Sequence, residues 1–181
     1  MRYTIAVNVG REHFMRKTIA KKTGFFLKIV KLLLTPTYRR IRKMMNMDKM
    51  RILFSGGGPL SIEIAYFFGG IGLEILEGYG LTETSPVINV NLPGKSRPGT
   101  VGPPLKNVNE VISDEGEILV KGPMVFKGYY RYKGEDADEF FTKEGYFRTG
   151  DLGAFTSDGY LIITGRLKDI IITSGGKNIS P

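Results

Sequence analysis

Gly78-Tyr79-Gly80-Leu81-Thr82-Glu83-Thr84-Ser85-Pro86 gathers an aromatic ring, hydroxyls and a carboxylate into one glycine-flanked loop. A ring can pack on a flat base, and Thr82 can offer its hydroxyl to an anionic oxygen. Glu83 can give a hard oxygen ligand to a Mg²⁺ that bridges phosphates. Arg148-Thr149-Gly150-Asp151 and Gly165-Arg166-Leu167-Lys168-Asp169 add further carboxylates and cations. Asp151 can accept two hydrogen bonds at once, which suits the adjacent hydroxyls of a ribose. Together these segments describe a nucleotide site assembled from loops. Each also has a plainer reading: Glu83 as the cap of a following turn, Asp151 as an ordinary turn residue, Arg166 and Lys168 as cations on a solvated turn.

These residues need a scaffold, and the chain predicts one. Arg51 to Ser55 is a short apolar strand, Gly56-Gly57-Gly58 a loop, and Pro59 suits a first helical turn. Leu60 to Phe68 continue as helix, Gly69-Gly70 stop it, and Leu73 to Leu76 form a second strand. Strand, helix and strand at this length make a βαβ unit, with its loops on the ligand side of a parallel sheet. The three glycines resemble a phosphate cradle at a helix N-terminus, and equally a tight strand-to-helix turn. They match neither the dinucleotide fingerprint nor the P-loop.

Beyond about residue 98 the texture changes. Short β-prone runs (100–101, 108–112, 117–121, 125–130 and 160–164) alternate with Gly, Pro and Asp turns, as in a small antiparallel barrel or sandwich. Asp151 falls on a predicted turn between glycines, and residues 169–173 begin another strand. Before the βαβ unit, residues 1–49 read as helical. Phe25, Phe26, Ile29, Val30 and Leu32 to Leu34 form a broad apolar face, and Thr35-Pro36 ends that helix. A second helix carries Tyr38, Ile41, Met44 and Met45 on one side and Arg39, Arg40, Arg42 and Lys43 on the others. The fold class expected is therefore α/β: the βαβ part of a parallel sheet followed by a small antiparallel β-barrel.

Composition narrows the chemistry. With no cysteine there is no disulfide framework and no thiolate zinc site, and the single His13 argues against a histidine-centred metal site or triad. No apolar run reaches the roughly 18 residues of a membrane span. The net charge of +8 is unevenly placed: residues 1–51 hold 14 of the 26 Lys and Arg against Glu12 and Asp48. A basic head on a mildly acidic body suggests contact with an anionic surface. Nucleic acid is a poor fit, because no aromatic-basic stacking platform accompanies the charge.

Six segments in order resemble the adenylate-forming superfamily of acyl-CoA synthetases, luciferases and peptide adenylation domains. They are Ser-Gly-Gly-Gly-Pro-Leu (55–60), Gly-Tyr-Gly-Leu-Thr-Glu-Thr (78–84), Gly-Glu-Ile-Leu-Val-Lys-Gly (116–122), Gly-Tyr-Tyr (128–130), Tyr-Phe-Arg-Thr-Gly-Asp (146–151) and Gly-Arg-Leu-Lys-Asp (165–169). The ending Ser174-Gly175-Gly176-Lys177-Asn178-Ile179-Ser180-Pro181 and the basic head are most similar to the long-chain fatty acyl-CoA synthetases. The resemblance implies that a fatty acid carboxylate attacks the α-phosphorus of ATP, giving acyl-adenylate and pyrophosphate. The thiol of coenzyme A then displaces AMP. On matched positions Tyr79 would pack on the adenine, with Gly80 in the same nucleotide loop and Ser55, Gly56, Gly57 and Gly58 lining the adenine and acyl side. Thr82 would bind phosphate, Glu83 the Mg²⁺, Asp151 the ribose hydroxyls and Arg166 the ribose or phosphate region. Thr82, Glu83 and Arg166 would thus carry the catalytic roles, and Lys168 would fall at the hinge of the small C-terminal domain.

The resemblance also implies segments that these 181 residues do not show. No Gly/Ser/Thr-rich loop ending in Pro-Lys-Gly occurs between Met1 and Ser55, and the lysine used by the family near its C-terminus would lie beyond Pro181, Lys177 being too early. The expected organisation is a basic helical segment (1–49), the sheet portion of the large domain (50–97), a β-barrel subdomain (98–166) and the hinge with the start of a truncated C-terminal domain (167–181). Such a fragment is expected to be inactive in isolation. The alternative is a non-catalytic nucleotide- or membrane-surface-binding module. Further expectations are a cytoplasmic location, peripheral membrane contact through residues 1–49 and homo-oligomer formation through exposed sheet surface.

Overall fold

A computed structural model describes residues 2–19, 23–130, 140–167, 171–172 and 178–179. The chain divides into two compact units. One comprises residues 1–78 and 91–99, the other residues 79–90 and 100–181.

The first unit opens with three helices: α1 (Arg2–Thr18), α2 (Phe25–Leu33) and α3 (Thr35–Met44). Leu34 ends α2 and leads directly into α3, where proline occupies the first turn, a position whose N–H has no intrahelical partner anyway. Strand β1 (Leu53–Ser55), helix α4 (Ile62–Gly70) and strand β2 (Ile75–Gly80) follow, with β1 and β2 parallel and Ser55 opposite Glu77. The predicted βαβ unit is therefore present, but its helix starts at Ile62 and its second strand runs to Gly80 rather than Leu76.

Ala6, Tyr38, Ile71 and Leu73 form the core of this unit, packed by Leu34, Ile41, Leu53, Phe67 and Phe68. Burying a side chain such as Ile71 stabilises the unit by about 1.5–3 kcal/mol. Helices α1 and α4 meet through glycines. A Cβ on Gly10 would lie 2.6 Å from the Gly70 carbonyl oxygen, so only bare backbone permits the approach. Tyr38 Oη donates to the Ala6 carbonyl at 3.0 Å, and Arg42 donates to the Ile71 carbonyl at 3.0 Å just past the end of α4. A cation there satisfies carbonyls that the helix leaves open. Helix α2 differs, since it buries none of its residues: Phe25, Phe26, Leu32 and Leu33 are all exposed.

The second unit is built on a four-stranded antiparallel sheet, curled as a half-barrel, of β4 (Asn109–Ile112), β5 (Glu117–Lys121), β6 (Phe147–Phe155) and β7 (Leu161–Arg166) in that order. It also contains a 3₁₀ turn (Thr82–Thr84) and strand β3 (Val87–Val90). Ile88, Ile118, Val120 and Leu161 are its buried core, with Tyr79, Val101, Val108, Ile112 and Ile163 packed around them. A short antiparallel pair, β8 (Ile171–Ile172) with β9 (Asn178–Ile179), follows. Two predicted β runs are not strands. Residues 100–101 contribute no strand, the neighbouring Gly102 making only an isolated bridge to Leu161, and residues 125–130 are bends and irregular backbone. No helix among the described residues is long and apolar enough to cross a membrane.

Candidate functional site

Asp151 was expected on a turn, and the structure places it inside a strand. It is the fifth residue of β6, buried at 5% exposure, and pairs across the ladder with Arg166 of β7. The misleading signal is Gly150, whose φ of +71° is a turn-like conformation that glycine adopts without strain. Buried Glu117 of β5 holds that irregular stretch. One of its carboxylate oxygens accepts the Gly150 N–H at 3.0 Å and the other pairs with Arg148 at 3.2 Å. Thr149 Oγ1 donates to the Ile118 carbonyl at 2.7 Å and accepts the Asp151 N–H at 3.1 Å. The Asp151 backbone is thus fixed from the neighbouring strand.

Its carboxylate is engaged on both oxygens. Tyr79 Oη donates to Oδ2 at 2.7 Å, and Arg166 Nε donates to Oδ1 at 3.0 Å. Burial pushes the Tyr79 phenol above its usual range, and the Asp151 and Glu110 charges add to the rise against a bond to Thr149. Tyr79 is therefore a permanent donor at neutral pH. An ionised carboxylate offers about four lone-pair positions. Two are used here, which leaves acceptor capacity on each oxygen for hydroxyls of a ligand. Tyr79, Asp151 and Arg166 come from three distant segments and form one hydrogen-bonded set.

The loop between β2 and β3 is braced by its own side chains. Buried Thr84 accepts the Leu81 N–H at 2.9 Å and donates to the Pro86 carbonyl at 2.7 Å. Gly80 is required where the loop closes, because a Cβ there would meet the Pro86 carbonyl oxygen at 1.7 Å. The brace leaves Thr82 exposed at the start of the turn. Glu83 forms a second set with Tyr129 of the Gly-Tyr-Tyr segment, a residue to which sequence reasoning assigned no role. Tyr129 Oη donates to Glu83 Oε1 at 2.6 Å, and the Phe126 N–H donates to the Glu83 carbonyl at 2.8 Å. Among the described residues no group of three or more potential ligand side chains clusters for a metal. A lone carboxylate does fit a Mg²⁺ carried by a nucleotide, which keeps waters and phosphate oxygens for its remaining positions.

Ser55, Gly56, Gly57 and Gly58 belong to the first unit. Ser55 ends β1, the glycines are exposed, and Gly56 lies so near the Gly78 carbonyl that a Cβ would sit 3.4 Å from it. The glycines do not lead straight into the helix, since Pro59, Leu60 and Ser61 intervene before α4. Lys168 lies outside the described residues.

A further pair in the second unit, Asn89 and Glu110, also escaped sequence reasoning. Asn89 Nδ2 donates to Glu110 Oε2 at 3.0 Å, while Asn89 Oδ1 and Glu110 Oε1 are buried with no hydrogen-bond partner among the described residues. Burial pushes the Glu110 carboxyl up, against the opposing bond from Asn89. When protonated, this carboxyl carries a donor that its ionised form lacks.

The family model described as AMP-binding enzyme matches residues 10–130. The long-chain-fatty-acid–CoA ligase FadD15 of Mycobacterium bovis is 46% identical over 144 residues, covering 80% of this chain and 24% of the relative. Long-chain-fatty-acid–CoA ligase heimdall of Drosophila melanogaster is 40% identical over 145 residues, 78% of this chain and 21% of the relative. Among solved structures, apo MatB from Rhodopseudomonas palustris aligns with a TM-score of 0.65 at 36% identity, over 81% of this chain and 32% of that one. O-succinylbenzoate coenzyme A synthetase from Bacillus subtilis, in complex with ATP and magnesium ion, aligns with a TM-score of 0.64 at 35% identity, over 72% and 29%. The chain spans about a quarter of the length of these curated relatives. With its six ordered motifs, its α/β and half-barrel units and these relatives, the chain belongs to the AMP-binding enzyme family of adenylate-forming ligases.

Proposed function

We propose that this chain provides the nucleoside end of the active site of an ATP-dependent long-chain fatty acyl-CoA synthetase, which joins a fatty acid to coenzyme A through an acyl-adenylate. The observation that carries this reading is the Tyr79–Asp151–Arg166 set, three motif residues held together by hydrogen bonds of 2.7 and 3.0 Å. In it Asp151 accepts the ribose hydroxyls, its carboxylate already aimed by two donors. Tyr79, fixed through its hydroxyl, presents its ring to the adenine. Arg166 keeps a positive charge beside the ribose and phosphates, and Thr82, exposed on its braced turn, meets a phosphate oxygen. Glu83 would hold Mg²⁺, which when bound neutralises phosphate charge. Ser55 to Gly58 are assigned the adenine and acyl side, Lys168 the hinge. All these roles are positioning and charge neutralisation, with no side-chain nucleophile required.

As an isolated polypeptide the chain is expected to bind the nucleotide weakly and to show negligible ligase turnover. Losing a phosphate loop and a positioned lysine each costs several kcal/mol in the transition state, on the order of a single lost oxyanion donor. Isothermal titration with a non-hydrolysable acyl-adenylate analogue tests the reading. The wild-type chain should bind, and Asp151→Ala should weaken binding at least about tenfold, the loss of one net hydrogen bond. Folded wild-type protein that does not bind would refute it.

A second reading rests on helix α2, where Phe25, Phe26, Leu32 and Leu33 are 72–80% exposed beside Lys28 and Lys31. An apolar face flanked by cations suits the surface of an anionic membrane. Co-sedimentation with acidic vesicles, abolished by salt and by deleting residues 1–49, would favour this non-catalytic role.

A further inference from the structure

Glu83 is gripped at two points by one short segment. The Phe126 N–H holds its backbone carbonyl at 2.8 Å, and three residues later the Tyr129 hydroxyl holds its side chain at 2.6 Å. That length is typical of a hydroxyl donating to an ionised carboxylate, among the stronger hydrogen bonds of proteins. The Tyr129 ring is itself fixed, edge-on to Phe126 with centroids 4.8 Å apart and edge-on to Phe140 at 5.0 Å. Phe126 in turn packs on the buried Phe147 of β6 at 5.2 Å. Gly128, with φ of +137°, allows the turn that brings residues 126 and 129 to the same glutamate. The phenol takes Oε1 and leaves Oε2 to point elsewhere.

We propose that Tyr129 is a positioning residue for Glu83: it orients the carboxylate so that its other oxygen meets the divalent cation of a bound nucleotide. This rests on the reading of Glu83 as the metal-binding carboxylate. A carboxylate free to rotate would lose entropy each time it bound a cation, whereas one already held by a hydroxyl does not. Partners that orient a ligand in this way are typically worth about 10- to 100-fold in metal affinity or activity.

The test titrates Mg²⁺ into the 181-residue chain at fixed ATP and reads half-saturation from the gain in ATP binding, with metal-free AMP as control. In the wild type Mg²⁺ should strengthen ATP binding, and Glu83→Gln should abolish that gain. Tyr129→Phe, which keeps the ring contacts and removes only the hydroxyl, should raise the Mg²⁺ half-saturation by about 10- to 100-fold and leave AMP binding unchanged. A Tyr129→Phe variant that matches the wild type overturns the proposal while the metal role of Glu83 stands. An equal loss of AMP binding also overturns it, because the residue would then act through the fold as a whole. A wild type or a Glu83→Gln variant that shows no Mg²⁺ effect of its own removes the metal reading, and this inference with it.

Discussion

Tyr79→Phe removes one hydroxyl and nothing else, and a cycle with Asp151→Ala isolates its bond to that carboxylate. That bond is 2.7 Å long and ends on a carboxylate that is 5% exposed. A hydrogen bond to a charged group contributes about 1.5–3 kcal/mol, and its loss here leaves a buried anion short of a donor. The other partner cannot compensate: the Arg166 side chain is 66% exposed, and ion pairs of such exposure are worth about 0–1 kcal/mol. The variant should therefore lose about 1.5–3 kcal/mol of stability, equivalent to a midpoint shift of roughly 3–12 °C for a chain of this size. Urea unfolding followed by circular dichroism gives the free energy, and Asp151→Ala with the double variant completes a thermodynamic cycle. The coupling should reach at least about 1 kcal/mol. Additivity within about 0.5 kcal/mol would refute the argument, since residues in contact should not behave as independent sites.

Two pH dependences follow from other groups. Burial holds the Glu110 carboxyl above its ordinary value of 4.5, so its contribution is full below that value and is lost as pH rises through the folded pKa. Glu110→Gln supplies a neutral group with a donor for Asn89 and should flatten this loss in unfolding curves taken across the same pH range; a slope as steep as the wild type's would show that another group carries the loss. His13 behaves in the opposite sense. Burial first, then Lys31, Lys17 and Lys28, lower its pKa from 6.5 to about 4. Its contribution is present above pH 6.5 and is lost as pH falls toward about 4, and His13→Gln should remove that part of the acid sensitivity. Because Lys31 Nζ has only protons to give, His13 Nδ1 is the acceptor at 3.2 Å and the neutral ring carries its proton on Nε2, a tautomer that nitrogen NMR can check.

Much of the scaffold was legible because it rests on local pattern. Glu117–Lys121 is a strand over the residues expected, and the parallel β1–α4–β2 unit follows from apolar runs punctuated by glycine. The failures also have local causes. Glycine flanks made Asp151 look like a turn residue, but the buried Glu117 carboxylate accepts the Gly150 N–H and lets β6 run through it. Residues 125–130 have strand-like composition, yet Phe126 and Tyr129 spend their rings on other aromatics. The helix of the βαβ unit starts later than expected, because Pro59 to Ser61 stay outside it.

The sequence by itself determined which chemical groups are present, their order along the chain and hence the family. Those facts depend on residue identity and spacing, which a linear chain displays in full. The partners of those groups were decided only by the tertiary structure. Tyr79 bonds to Asp151 across 72 residues and Glu83 to Tyr129 across 46, and neither pairing leaves a periodic trace in the chain. Propensity and hydrophobic pattern act over a few residues, whereas a hydrogen bond between distant segments exists only after strands, bulges and packed rings have set both ends within 3 Å. The Tyr79 ring was therefore visible as a candidate base contact, while the hydroxyl that aims Asp151 became visible only in the fold.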